Sequence, residues 1–136
     1  DMTPYKTKSI KLKGSNYFEV RESAFAVYRS IEKKTKRRPY LRSAYFKKEK
    51  IFFDLFWKHL WEKSPRDRAR RLPYFSAAVE LIKYSRNKPV SKPNPNKRNE
   101  LVHRFAGITA DNELFYVQIK EERSGKKYFM SCFAPE

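Results

Sequence analysis

Apolar residues return at helical spacing along the first two thirds of the chain. Ala24, Val27, Tyr28 and Ile31 form one stripe, with Ser23 available as N-cap and a lysine-rich end that suits the helix dipole. This predicts a helix over residues 23–34, stopped by Pro39. In "KEKIFFDLFWKHLWEK", residues 48–63, Lys50, Asp54, Lys58 and Glu62 make one polar line at i,i+4 while apolar side chains fill the rest. That pattern predicts a second helix, covered on most of its circumference, in which His59 is a core or boundary histidine. "SPRDRARR" restarts a helix, because Ser64 can cap, Pro65 suits the first turn and Asp67 stands at the capping-box position. Phe75, Ala78, Val79 and Ile82 predict a further amphipathic helix ending near Arg86.

Beyond Arg86 the period changes. "NKPVSKPNPNKRN", residues 87–99, repeats Pro and Asn without an acidic residue, and reads as an extended connector of polyproline character, either a basic strap or a solvated linker. Residues 101–108, 113–121 and 126–133 then read as three strands joined at "ADNE" and "RSGK". A fourth strand would come from the weakly alternating residues 6–12 or from the connector. The predicted class is α+β: one domain over residues 1–136, with an N-terminal helical layer (about 20–86) packed on a C-terminal antiparallel sheet (100–136).

A two-residue turn at Ser124-Gly125 pairs Ile119 with Met130, Gln118 with Ser131 and Val117 with Cys132. Phe115, Val117, Ile119, Tyr128, Met130 and Cys132 then face the helices. Tyr116, Gln118, Lys120, Lys127, Phe129, Ser131 and Phe133 face outward, a mixture too polar for a core and too aromatic for an idle surface. For the preceding strand, Leu101 and Phe105 as core positions turn Arg104 out beside Lys120. A strict two-residue turn at Asp111-Asn112 would instead set His103 across from Lys120, and a bulge at Ala106-Gly107 could reconcile the two. Arg104 outward is favoured, because an unpaired arginine under the sheet is costly. His103 stays the second candidate.

Composition narrows the function. Lys and Arg number 32 against 15 Asp and Glu, a formal net charge of +17 that a polyanion would relieve, so nucleic acid is the leading partner. Cys132 is the only cysteine, which excludes an internal disulfide and fits a reducing cytoplasm. His59 and His103 lack neighbours at metal-ligand spacing, so no metal or other cofactor is expected. No membrane-spanning run or secretory signal is read.

An open sheet face with cations, amides, a hydroxyl and rings suits RNA, because unstacked bases lie on aromatics while cations hold phosphate. Cleavage without metal needs a proton acceptor for the 2′-OH, charge stabilisation on the phosphorane, and a proton donor. Arg104 and Lys120 fit charge stabilisation. His103, Tyr116 or Tyr128 could move a proton, and Ser131 or Gln118 could orient phosphate. Tyr116, Gln118, Lys127 and Phe129 would bind RNA on the sheet, and Arg37, Arg38, Arg68, Arg71, Lys97 and Arg98 around it.

The stretch "ELVHRFAGITADNELFYVQIKEERSGKKYFMSCF", residues 100–133, resembles the barnase, EndoU, colicin and RelE-like (BECR) nuclease fold, in particular its phage-associated families. The matching elements are the "RF.G" strand, the "F.VQIKE" strand and the "GKKYFMS.F" hairpin, about the last quarter of the chain. The resemblance implies helices packed on a four-stranded antiparallel sheet whose open face cuts RNA without metal, often as a toxin neutralised by an acidic antitoxin or immunity protein. Arg104, Lys120 and Ser131 match polar positions of the motif strands, with His103 and Tyr128 beside them. The leading expectation is therefore a toxin-like ribonuclease acting on RNA, with tRNA or ribosome-associated RNA as candidate substrates. A noncatalytic RNA- or DNA-binding domain and a protein-interaction module are the alternatives.

Overall fold

In the computed structural model, which describes residues 3–14 and 16–135, strand β1 (Tyr5–Lys6) precedes helix α1 (Tyr17–Lys33) and the hairpin of β2 (Tyr40–Ser43) and β3 (Glu49–Phe52). Helices α2 (Asp54–Glu62), α3 (Pro65–Arg71) and α4 (Phe75–Tyr84) follow, the last two joined by a 3-10 turn at Leu72–Tyr74. The chain then forms β4 (Val90–Asn94), β5 (Lys97–Ile108), β6 (Leu114–Glu121) and β7 (Lys127–Phe133). The class is α+β. Residues 1–2, 15 and 136 of the expected domain lie outside the described residues.

The sheet is mixed rather than antiparallel. Its order is β1-β5-β6-β7-β3-β2, with β4 also on β5. The expected antiparallel trio β5-β6-β7 is present, but β3 runs parallel to β7 and β1 parallel to β5. The connector supplies β4, whereas the strand expected over residues 6–12 is only Tyr5–Lys6 and overlaps that range at Lys6; the two share one edge of β5, β4 pairing with Lys97 and residues 101–104 and β1 with Gly107 and Ile108. The connector is thus a strand, not a polyproline strap, and Pro93 is tolerated because an edge strand needs donors on one side only.

Two helical expectations change. Helix α1 begins earlier, at a cap formed by Asn16, whose side chain accepts from the Glu19 amide at 3.0 Å. The run 48–63 divides into strand β3 and helix α2. A polar residue at every fourth position also satisfies a period of two, so Lys50 and Asp54 fit either element. Pairing with β2 and β7 decides the first four residues, leaving Ile51 buried and Phe52 on the other face. Ser64 caps α3 as expected, accepting from the Asp67 amide at 3.2 Å.

The core lies between the helices and the sheet face that carries Phe115, Val117, Ile119, Phe129 and Cys132, all at most 1% exposed. Phe56 of α2 stacks on Phe129 with ring centroids 4.5 Å apart and an interplanar angle of 15°, and the Phe53 ring meets the same ring at 5.3 Å. Phe129 is therefore a core residue, contrary to the outward position expected. The β6–β7 connection is a three-residue loop, residues 123–125, with Gly125 at φ 92 and its amide bonded to the Glu122 carbonyl at 2.8 Å. Ile119 consequently faces Phe129 rather than Met130. An irregularity between Gln118 and Ile119, with Met130 as the extra residue, restores the expected pairs Gln118–Ser131 and Val117–Cys132. Burial pushes the Cys132 thiol up to about 12, so it is an inert filler.

Among the described residues no helix is long and apolar enough to cross a membrane. Phe129→Ala is expected to cost about 3–5 kcal/mol in chemical denaturation, and Phe133→Ala, on a half-exposed ring, clearly less. Equal losses would mean that the stacked pair does not anchor the helices.

Candidate nucleic-acid interface

The face of the sheet turned away from Phe129 is built by strand alternation, so its residues come from every second position of five strands. One row crosses the sheet as Val102, Lys120, Tyr128, Phe52 and Tyr40, each directly opposite the next. Beside it runs Arg104, Gln118 and Ser131. These residues are exposed or half-buried.

Cations lie over the rings of this face. The Lys120 ammonium is 5.6 Å from the Tyr128 ring centre and 3.8 Å from Oε1 of Glu100, whose carboxylate is buried and also accepts from Asn94 Nδ2 at 3.1 Å. Arg38, from the segment between α1 and β2, sits 4.4 Å from the Phe52 ring and 5.6 Å from that of Tyr128, and pairs with Asp54. Hydrogen bonding to the Tyr128 hydroxyl, then to Asp54, holds the Arg38 guanidinium more firmly in its charged form despite partial desolvation. Arg104 is 5.3 Å from the rings of both Tyr116 and Phe133, and Arg71 of α3 reaches Phe133 at 5.2 Å. Ser131 Oγ donates to Gln118 Oε1 at 3.2 Å.

Arg104, Lys120, Tyr128, Ser131, Tyr116, Gln118 and Arg38 thus share one face, and Arg71 borders it. Tyr128 arrives there through the bulge, although the simple register put it in the core. His103 does not join them. The β5–β6 register runs unbroken through Ala106 and Gly107, with no bulge, and sets His103 opposite Ile119 on the helix side. The connection is a three-residue loop in which Asn112 adopts φ 67. Gly107 is required for space instead: a Cβ there would lie 2.5 Å from the Phe115 ring.

The buried His103 ring is fixed at both nitrogens, with Nδ1 2.6 Å from Ser91 Oγ and Nε2 2.9 Å from Glu121 Oε1. Lys127 also turns inward, against expectation, because the three-residue loop shifts its parity. The residue is 5% exposed, and its ammonium meets Glu49 Oε1 at 2.7 Å, the Gly125 carbonyl at 3.0 Å and Glu121 at 3.8 Å. Arg68 caps the end of α2, donating to the carbonyls of Lys63 and Trp61 at 3.0 and 2.9 Å. Arg37, Lys97 and Arg98 are exposed and away from these contacts.

Sequence reasoning missed Glu100, Phe52 and Tyr40. Glu100 was recoverable, since it precedes Val102 and Arg104 by steps of two. Phe52 and Tyr40 were hidden by the helical reading of residues 48–63. Among the described residues no group of three His, Cys, Asp or Glu side chains could hold a metal ion. No protein-family model, curated protein or solved structure matches the chain.

Removing His103 leaves Ser91 and Glu121 facing a cavity, so His103→Ala should lose about 1–3 kcal/mol or more in denaturant titration. A loss within error would show that the network is not structural. Burial lowers His59 from its ordinary value of 6.5, with Lys63, Lys120 and Lys58 repelling its proton and Glu62 attracting it. The folded protein then binds that proton less readily than the unfolded chain. Its contribution is intact above 6.5 and is lost as the pH falls below it. His59→Gln should therefore lose less stability than the parent protein between neutral and mildly acidic pH, as read from paired melting curves.

Proposed function

We propose that the protein is a metal-independent RNA endonuclease of BECR type, working on the sheet face just described. The observation that carries this reading is the Lys120 ammonium between a carboxylate, Glu100, and a phenol, Tyr128, with Arg104 and Arg38 on the same face. A base and an acid on either side of a phosphate-binding cation suit in-line displacement.

In the reaction, Glu100 takes the proton of a ribose 2′-OH, whose oxygen attacks the adjacent phosphorus as the bond to the 5′-oxygen breaks. Lys120 and Arg104 offset the charge that builds on the phosphorane oxygens. Tyr128, with the Arg38 guanidinium 5.6 Å from its ring, gives its hydroxyl proton to the departing 5′-oxygen. Gln118 and Ser131 orient the non-bridging oxygens. Tyr116, Phe52 and Phe133 offer faces on which flanking bases stack. The products are a 2′,3′-cyclic phosphate and a 5′-hydroxyl. A substrate such as tRNA or ribosome-bound message, an acidic neutralising protein and a cytoplasmic setting belong to the same proposal, supported by the resemblance and the basic charge.

A noncatalytic nucleic-acid clamp draws on a different contact, Phe133 held between Arg71 and Arg104, which suits stacking without chemistry. Incubation with tRNA, ribosome-bound message and unstructured RNA in EDTA separates the two. Cleavage leaving cyclic phosphate ends is expected, reduced about 10²–10³-fold in Lys120→Ala and Arg104→Ala and comparably in Glu100→Gln, with folding retained. Salt-sensitive binding without any cleavage would instead identify the clamp.

A further inference from the structure

A second basic surface lies beyond the sheet edge. Between α1, β2 and α4 runs a groove of about 1150 Å³ whose lining includes Lys34, Arg42, Lys47, Lys48, Lys83 and Arg86. No Asp or Glu lines it, and none of the six cations forms an ion pair with a described residue. Its floor is apolar, with Val27, Ile31, Leu41 and Val79, and the Tyr40 and Tyr84 rings stand at its sides. Lys47 and Lys48 hold φ of 55 and 68, so two successive lysines adopt a conformation that L residues ordinarily avoid. Charge of one sign without compensation, gathered over an apolar and aromatic floor, is complementary to a strand of phosphates carrying flat bases.

The groove is continuous with the sheet face. Tyr40 and Arg42 belong to both, since they stand opposite Phe52 and Lys50 on the sheet and also line the groove. A smaller basic depression of about 480 Å³ joins them, lined by Lys36, Arg37, Arg38, Lys50 and Phe52 and sharing Lys34 and Tyr40 with the groove. Strand β2 ends the sheet, so nothing in the sheet order interrupts the path.

We propose that single-stranded RNA leaving the sheet face crosses the β2 edge at Tyr40 and Arg42 and is held in the groove between α1 and α4. This rests on the RNA reading of the sheet face and extends it from a cleavage site to a long substrate track. The groove adds affinity for long RNA and nothing to the chemical step.

The test uses the full chain with Lys47→Gln, Lys83→Gln and Arg86→Gln combined, together with Arg86→Gln alone in case the triple variant is poorly folded. Binding of an uncleavable 2′-O-methyl 20-mer is followed by fluorescence anisotropy against salt, and cleavage is followed on a tetranucleotide. The triple variant is expected to bind the 20-mer about tenfold or more weakly at 0.1 M salt, with the log–log salt slope shallower by about 2, and Arg86→Gln by about 0.7. Tetranucleotide cleavage should stay within about twofold of the parent. An unchanged slope and affinity would overturn the track, and would leave the sheet-face reading standing if Lys120→Ala still abolished cleavage. Unchanged RNA binding with loss of poly-glutamate binding would assign the groove to acidic protein and also overturn it. Indifference of every RNA measurement to both groove and sheet variants would instead sink the reading on which it rests.

Discussion

The stacking of Phe129 on Phe56 is the contact on which the remaining geometry depends. Strand β7 has a core face and an open face, and a one-residue change of parity exchanges them. Burying Phe129 against α2 fixes the parity of residues 127–129, and the extra residue at Met130 lets Cys132 remain buried as well. The same choice puts Tyr128 outward beside Lys120. A core packing requirement thus selects which hydroxyl stands at the centre of the proposed RNA face, and it simultaneously draws Lys127 inward to Glu49 and Glu121.

With so large an excess of cations, the placement of the few carboxylates shapes the surface. Glu80 accepts from the amides of Lys8 and Ser9 and from the Ser9 hydroxyl, at 2.8, 3.0 and 2.7 Å, and so ties the N-terminal segment to α4. Glu49 and Glu121 serve Lys127 and His103 under the sheet. Glu113 pairs with Lys11 at 3.1 Å. These acids hold elements together, whereas Glu100 and Asp54 pair with the Lys120 and Arg38 cations of the proposed RNA face. Rings take over part of the role of counter-charge there, since arginine and lysine heads lie over Phe52, Tyr116, Tyr128 and Phe133.

The C-terminal strands were legible because their alternation is clean and the turn residues are distinctive. The outward position of Arg104 followed from Phe105 as a core residue and the cost of burying a guanidinium, although Leu101, expected in the core beside it, shares that side of the strand but is 37% exposed beyond the end of the core. The register near the β6–β7 turn was not legible: a two-residue turn without a bulge and a three-residue loop with one give the same pairs from Gln118 onward and differ only at residues 127–130. Strand β3 was obscured for a different reason, since the spacing of Lys50 and Asp54 is common to a helix and a strand. The partners that settle it, Lys127 and Tyr128, lie more than seventy residues further on. Glu100 shows the opposite case, a signal present in simple alternation but outweighed by the polar company of its neighbours.

Two of the sheet's junctions, Tyr5–Lys6 beside Gly107–Ile108 and Ile51–Phe52 beside Lys127–Tyr128, join segments that are remote along the chain and parallel in direction. Neither can be reached by a local turn, and each must overcome a large loop-closure entropy before its hydrogen bonds form. The local hairpins β2–β3, β5–β6 and β6–β7 form over far shorter loops. The row from Lys120 through Tyr128 to Phe52 spans the junction of β7 with β3, so the complete face requires a non-local parallel pairing as well as the local hairpins. A chain whose hairpins have formed but whose parallel junctions have not carries the full positive charge without the ordered surface that would use it.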